Sequence, residues 1–91
     1  MAINTTYNGW TNKATWLVKL WMDNDQSSYF YWLDQAINTT NCYQLANEIE
    51  HFHLDIAPEN IGLFTDLLST ALSEVNWFEI SKSLLNDLSD Y

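Results

Sequence analysis

The sequence has very little positive charge. It contains no arginine and three lysines against twelve acidic residues, which gives a formal net charge of −9. Between Leu20 and Ser81 there is neither lysine nor arginine, and every acid except Asp87 and Asp90 lies in that stretch. Such a surface repels nucleic acids and anionic membranes and attracts basic protein surfaces. We therefore expect no direct binding of nucleic acid or membrane, and a basic protein as partner.

Motifs of enzymes and exported proteins are also missing. The chain has no glycine-rich phosphate loop, no nucleophilic-serine turn and no zinc-ligand spacing, and its single cysteine, Cys42, excludes an internal disulfide. No apolar run reaches the ~18 residues that a membrane helix needs, and no charged segment followed by an apolar run opens the chain. We expect a soluble cytoplasmic protein.

Apolar residues are abundant by comparison. They make up 47% of the 91 residues, and aromatic residues make up 15%. This content is too high for a disordered chain, and the length suits one domain with a small core. We predict a single acidic domain over residues 1–91, with residues 1–8 as an extended lead-in.

The spacing of apolar residues predicts an all-α domain of about five short helices around a Trp/Leu/Phe-rich core. The first helix follows the turn signal Asn8-Gly9, with Thr11 or Asn12 as its N-cap, and runs to about Met22. Its predicted apolar face leaves Lys13 and Lys19 in solvent and consists of Ala14, Trp16, Leu17, Val18, Leu20 and Trp21. The second helix, capped by Ser27 or Ser28, is expected to bury Phe30, Leu33 and Ile37.

Three further helices follow polar breaks. Asn41 is the expected cap of the third, whose apolar positions are Cys42, Leu45, Ile49 and Phe52. Pro58 suits the first turn of the fourth, which is expected to bury Ile61, Phe64, Leu67, Leu68, Ala71, Leu72 and Val75. Asn76 is the expected cap of the fifth, with Glu79 at the capping-box position and with Trp77, Ile80, Leu84 and Leu88 facing the core.

One cluster has the residue types of a metal or acid–base site: His51 and His53 with Glu48, Glu50 and Asp55. A carboxylate-bridged metal centre needs a second Glu-x-x-His copy from another helix, and the chain has no further histidine. We interpret the cluster as solvated residues at a helix end, and Cys42 as a small core residue. We therefore predict no enzymatic activity, no cofactor and no metal.

The residues predicted to contact a partner are acids and exposed tryptophans. Trp10 precedes the first cap and Trp32 lies off its helix stripe, so either could be an exposed anchor of the kind enriched at interface hot spots. The full set of predicted partner-binding residues is Asp23, Asp25, Asp34, Glu48, Glu50, Asp55, Glu59, Asp66, Glu74, Trp10 and Trp32. The alternative interpretation of the acids is a shell that only keeps an aromatic-rich protein soluble.

Two segments resemble a known family. Asn8-Gly9-Trp10-Thr11-Asn12 with Thr15-Trp16, continued by Leu20-Trp21-Met22-Asp23-Asn24-Asp25, resembles the opening of an uncharacterised family of small proteins from bacteriophages and bacteria. Val75-Asn76-Trp77-Phe78-Glu79-Ile80 resembles a later element of that family. This chain has Ala14 where the family has a Glu that completes a capping box. The resemblance implies a phage or mobile-element setting and no particular activity.

The leading functional hypothesis is a non-enzymatic, phage-encoded inhibitor that acts in the host cytoplasm. Its carboxylates would replace nucleic-acid phosphates on the basic surface of a host defence or nucleic-acid-processing protein, such as a CRISPR or restriction complex. One alternative is a structural module that forms homodimers or larger assemblies through exposed aromatics. Another is a regulator of a host metabolic or transcription protein, which differs from the first only in its target.

Overall fold

A computed structural model describes residues 6–39, 41–57 and 62–89, and these ranges form five helices. Within them the only β-type pairing is an isolated bridge between Tyr7 and Trp10. The predicted all-α single domain is therefore confirmed. Pro58, Glu59 and Ile61, which were expected to open the fourth helix, lie outside the described residues. The helices are α1 (Lys13–Asn24), α2 (Gln26–Asn38), α3 (Cys42–Ile56), α4 (Leu63–Ser73) and α5 (Trp77–Ser89).

Helix α5 lies at the centre of the domain. Its most extensive contacts are with α3 and α2, and α1 packs against both α2 and α5. Ile80 and Leu84 of α5 are fully buried, as are Leu45 and Ile49 of α3. Each pair is four residues apart, so both side chains lie on one face of their helix. The predicted apolar faces of the third and fifth helices are thereby confirmed at their central positions.

A tight turn leads into α1. Asn8 and Gly9 both have positive φ, 49° and 87°, and the flanking Tyr7 and Trp10 exchange two backbone hydrogen bonds of 2.7 and 2.8 Å. A two-residue turn with positive φ at both positions is the hairpin connection that favours Asn-Gly. The predicted turn at Asn8-Gly9 is confirmed.

The starts of α1 and α5 share one set of hydrogen bonds, which we call the capping junction: Thr11, Asn12, Thr15, Asn76 and Glu79. Asn12 caps α1, because its Oδ1 accepts from the backbone N–H of Thr15 at 2.9 Å. Asn76 caps α5 in the same way, accepting from the N–H of Glu79 at 3.1 Å. Both predicted caps are therefore present.

Further hydrogen bonds of the capping junction join the two helix starts to each other. The Thr15 hydroxyl donates to Asn12 Oδ1 at 2.7 Å and accepts from the backbone N–H of Asn76 at 2.8 Å. Glu79 Oε1 accepts from the backbone N–H of Thr11 at 3.0 Å. In an ordinary capping box Glu79 would accept from the backbone N–H of its own cap residue, Asn76. Here Glu79 accepts from Thr11 and the Asn76 N–H donates to Thr15, so the expected capping box is distributed over two helices.

The buried faces of α1 and α2 differ from the predicted ones. On α1 the buried positions are Thr15, Lys19 and Met22, while Leu17 and Trp21 are exposed. The buried face of α1 is rotated relative to the predicted one, because the Thr15 hydroxyl lies against α5 and accepts from the Asn76 N–H. In this orientation the Trp21 side chain points to solvent. On α2 the predicted Leu33 is buried, and so is Ala36 beside it, but Phe30 and Ile37 are exposed and Trp32 is buried instead. The cap of α2 is Asp25, which accepts from two backbone N–H groups, instead of Ser27 or Ser28.

Lys19 is buried, which corrects the expectation that it would lie in solvent. The residue is 4% exposed, and its Nζ lies 2.6 and 2.8 Å from the two carboxylate oxygens of Asp23 and 3.8 Å from Asp87 Oδ2. Nζ also lies 5.7 Å from the centre of the Tyr29 ring, whose hydroxyl donates to Asp87. Burial of a lysine requires such paired charges, so Asp23 and Asp87 are what keep Lys19 on the inner face of α1.

Helix α4 is the least packed of the five. None of its residues is buried, and it makes no extensive contact with another helix among the described residues. Leu68 and Leu72 are partly buried, and Leu72 packs against the core, but Phe64 and Leu67 are exposed. The prediction that this helix buries its whole apolar face is wrong. No helix in the described part of the chain is long and apolar enough to cross a membrane.

Replacing Thr15 with valine tests the capping junction. Thr15 is fully buried, and the substitution keeps its shape while leaving the Asn76 N–H without its acceptor. We expect the free energy of unfolding to fall by about 1–3 kcal/mol, which lowers Tm by roughly 4–8 °C per kcal/mol in a domain of this size. Thermal and urea denaturation measure the change. The control is Thr70→Val at an exposed α4 position, which should remain within about 0.5 kcal/mol of wild type.

Candidate binding groove between helices α2 and α3

A groove separates α2 and α3, because both helices pack on α5 more extensively than on each other. It has a volume of about 650 Å³ and is open to solvent. Its position follows from the central placement of α5, because α2 and α3 both pack on that helix and leave a gap between each other. The lining residues are Tyr31, Trp32 and Gln35 of α2, Asn41 at the cap of α3, and Gln44, Asn47, Glu48, His51, Phe52 and Asp55 of α3.

The α3 wall of the groove is polar and acidic. Gln44, Glu48, His51 and Asp55 follow one another at intervals of four, three and four residues, which places them along a single face of the helix. Glu48 and Asp55 are two turns apart, about 10–11 Å along the helix axis. No lysine lines the groove. The two carboxylates therefore give it a negative potential without a neighbouring cation to offset it.

Asn41 fixes where this polar face begins. Its side-chain oxygen accepts from the backbone N–H of Gln44 at 2.8 Å, which confirms the predicted N-cap of α3. At the same end of α3, Cys42 is half-buried and packs against α5, where its Sγ lies 3.3 Å from the Ser81 Oγ. The Ser81 hydroxyl also donates to the Cys42 carbonyl at 2.7 Å. These contacts explain Cys42 as a packing residue between two helices.

Aromatic rings form the apolar part of the groove. Tyr31 and Phe52 each meet Trp32 edge to face, with ring centres 5.0 and 5.4 Å apart. Trp32 is 2% exposed, and its indole Nε1–H has no acceptor among the described residues. A buried donor without an acceptor destabilises a fold by about 1–3 kcal/mol. Trp32 thus contributes ring surface to the groove, while its indole N–H is buried away from solvent.

Trp32 was predicted to be an exposed anchor, and that prediction is wrong. Its ring lies between α2 and α3, where it also stacks on His53 at 6.4 Å. Trp10, the other predicted anchor, is half-buried against the core. The most exposed tryptophan is Trp21, at 68%, which the sequence pattern had placed in the core.

The structure distributes the predicted acidic residues among different roles. Glu48 and Asp55 both line the groove, whereas Asp23 pairs with Lys19 and Asp25 caps α2. Glu59 lies outside the described residues. The remaining acids lie away from the groove: Asp34, Asp66 and Glu74 are exposed, and Glu50 is half-buried.

Sequence reasoning missed the amide side chains and the tyrosine of the groove. Gln35, Gln44 and Asn47 line it, and Tyr31 stands at its edge. A signal was present, because Gln44 lies four residues before Glu48 and Asn47 lies four residues before His51, so each amide shares a helix face with a polar residue of the predicted cluster. Amides both donate and accept hydrogen bonds, so they suit a polar ligand with a peptide backbone.

The histidines have separate environments. His51 is exposed at the groove, whereas His53 is half-buried, with Nδ1 2.8 Å from the Ile49 carbonyl and its ring 5.4 Å from that of Trp77. Among the described residues, no three His, Cys, Asp or Glu side chains come together as metal ligands. The cluster noted in the sequence is therefore divided between a groove and a helix interface.

The fold and groove define a small all-helical protein with an acidic, aromatic-edged groove. Residues 3–90 match a family of unknown function, DUF7249, and the chain belongs to that family. No curated protein is significantly similar to the chain. No solved structure is significantly similar to it either.

Replacing two tryptophans in turn tests which of them supports the fold. Trp32→Ala removes a fully enclosed ring, and we expect a loss of about 3–5 kcal/mol in the free energy of unfolding. Trp21→Ala removes an exposed ring and should change it by about 1 kcal/mol or less. Urea denaturation followed by circular dichroism measures both. Equal effects of the two substitutions would contradict the placement of Trp32 between α2 and α3.

Proposed function

We propose that this protein is a non-enzymatic binding module that occupies a basic surface of another protein, with the α2–α3 groove at the centre of the interface. The observation that carries the proposal is that two carboxylates, Glu48 and Asp55, line the groove, while no lysine is among its described lining residues. The stretch from Leu20 to Ser81, which holds both groove helices, has neither lysine nor arginine. Cations of a partner would therefore meet no competing cation there.

The groove favours a peptide segment that carries arginine or lysine. Guanidinium and ammonium groups pair with carboxylates, and a guanidinium also stacks on aromatic rings. Glu48 and Asp55 supply the carboxylates, and Tyr31 supplies an exposed ring at the edge. Gln35 and Asn47 can bond to the segment's backbone amides.

In its narrower form the proposal is a phage-encoded inhibitor of a host protein that handles nucleic acid, such as a CRISPR or restriction complex. Such proteins hold nucleic acid on lysine and arginine side chains that neutralise phosphates. A chain with a net charge of −9 would compete for the same side chains through its carboxylates. The resemblance of residues 8–16 to small phage and bacterial proteins supports this setting.

A pull-down from bacterial lysate at low salt tests the proposal. The baits are the wild type, the groove variant E48Q/D55N and the control D34N/D66N, which changes the net charge equally outside the groove. We expect the wild type and the control to retain a partner that elutes with salt, because screening weakens ion pairs. The groove variant should retain about tenfold less, as expected for the loss of about 1.4 kcal/mol of charge pairing.

Two outcomes would contradict the proposal. Retention that does not change with salt would remove its electrostatic basis, and equal losses in both variants would remove the groove from the interface. Displacement of the partner by duplex DNA supports the narrower form. As an independent measurement, NMR titration with a short arginine-rich peptide should shift the amide signals of Tyr31, Glu48 and Asp55 more than those of Asp34 and Asp66.

A further inference from the structure

His51 lies between the two carboxylates of the α2–α3 groove. It follows Glu48 by three residues and precedes Asp55 by four, and side chains at these spacings are neighbours on one helix face, with Cβ atoms about 5–6 Å apart. All three residues line the groove, and all three are exposed. A basic segment that reaches both carboxylates therefore has to pass over the imidazole ring.

The other histidine of the chain belongs to a helix interface. His53 is half-buried, with its Nδ1 2.8 Å from the Ile49 carbonyl and its ring next to those of Trp32 and Trp77. The sequence contains two histidines, and His51 is the one among the described lining residues of the groove. A charge change at histidine within the groove lining therefore takes place at His51.

The groups that face His51 come from both helices of the groove. On α3 they are the carboxylates of Glu48 and Asp55. Across the groove, α2 contributes one titratable group, the phenol of Tyr31, beside the uncharged Trp32 and Gln35. Tyrosines ionise only in strongly alkaline solution, so near neutral pH the imidazole is the one variable charge among these groups.

The protonation of His51 decides how much negative charge a partner meets. The two carboxylates give the groove lining a charge of −2 when the imidazole is neutral and −1 when it is protonated. Histidine is the side chain that ordinarily changes its charge between about pH 5 and 8. A protonated imidazole would repel the partner's guanidinium or ammonium group and compete with it for Glu48 and Asp55.

We propose that His51 makes binding of the basic partner depend on pH, with tighter binding when the imidazole is neutral. Binding is therefore strong above the pH at which His51 takes up its proton and weakens as the pH falls through it. By linkage, a bound cation displaces the proton from His51 in return. This inference rests on the proposed function, because it requires the groove to receive a basic segment.

Isothermal titration calorimetry of the whole chain with a short arginine-rich peptide tests the inference at pH 8 and pH 5.5. Arginine keeps its charge throughout this range, and carboxylic acids ordinarily ionise below it. We expect the affinity of the wild type to fall about threefold to tenfold at pH 5.5, the effect of a like charge about 6 Å from one or two cations in water. At intermediate pH the peptide should also release protons, which makes the measured heat depend on the buffer.

Two substitutions fix the charge at position 51. His51→Gln is always neutral and should bind at both pH values as tightly as the wild type does at pH 8. His51→Lys is always charged and should bind at both values as weakly as the wild type does at pH 5.5. The matched control, Thr70→Lys, adds the same charge at an exposed position of α4 and should follow the wild type. Because His51 is exposed, circular dichroism should show that its variants remain folded.

The outcomes separate this inference from the proposed function. Peptide binding that is equal at pH 8 and pH 5.5 would overturn the role of His51 and leave the groove as the binding site. A pH dependence that His51→Gln retains would do the same. A peptide that binds neither the wild type nor the variants at either pH would overturn the proposed function, and the inference with it.

Discussion

The hydrogen bonds of Thr15 hold together the two ends of the described chain. A single buried hydroxyl donates to the cap of α1 and accepts from the backbone of the residue that caps α5. Because both helix starts need their free N–H groups satisfied, the two helices meet the same requirement with one shared set of side chains. The position of α1 against α5, and with it the face that α1 buries, depends on this contact.

The same junction joins two segments that lie far apart in the sequence. Thr11, Asn12 and Thr15 belong to the first segment, and Asn76 and Glu79 belong to the second. The structure brings them within hydrogen-bond distance of one another. What reads as two short motifs in the sequence is therefore one structural unit, which joins the start of α1 to the start of α5.

Local signals predicted the helices and their caps well, whereas long-range contacts decided which faces of α1 and α2 are buried. The Asn8-Gly9 turn and the caps Asn12, Asn41 and Asn76 act over three or four residues. The sequence alone identified them, except that it left Thr11 and Asn12 as alternatives for the first cap. The faces of α1 and α2 could not be predicted in the same way, because apolar residues surround both helices and the periodicity leaves several orientations. Lys19 pairs with Asp23 on its own helix, but its second partner, Asp87, is far away in the sequence, and no local pattern indicates that contact.

The central place of α5 has a consequence for how the chain acquires its structure during synthesis. The ribosome makes α1 to α4 first, yet α2 and α3 both pack most extensively on the later α5. Asn76 and Glu79, which bond to Thr15 and Thr11 at the start of α1, also come later in the chain. Contacts between such distant positions carry a large loop-closure entropy and form late. Until α5 is synthesised, we expect the earlier helices to expose the apolar faces that they bury against it, because Ile80 and Leu84 belong to the same core cluster as Leu45 and Ile49.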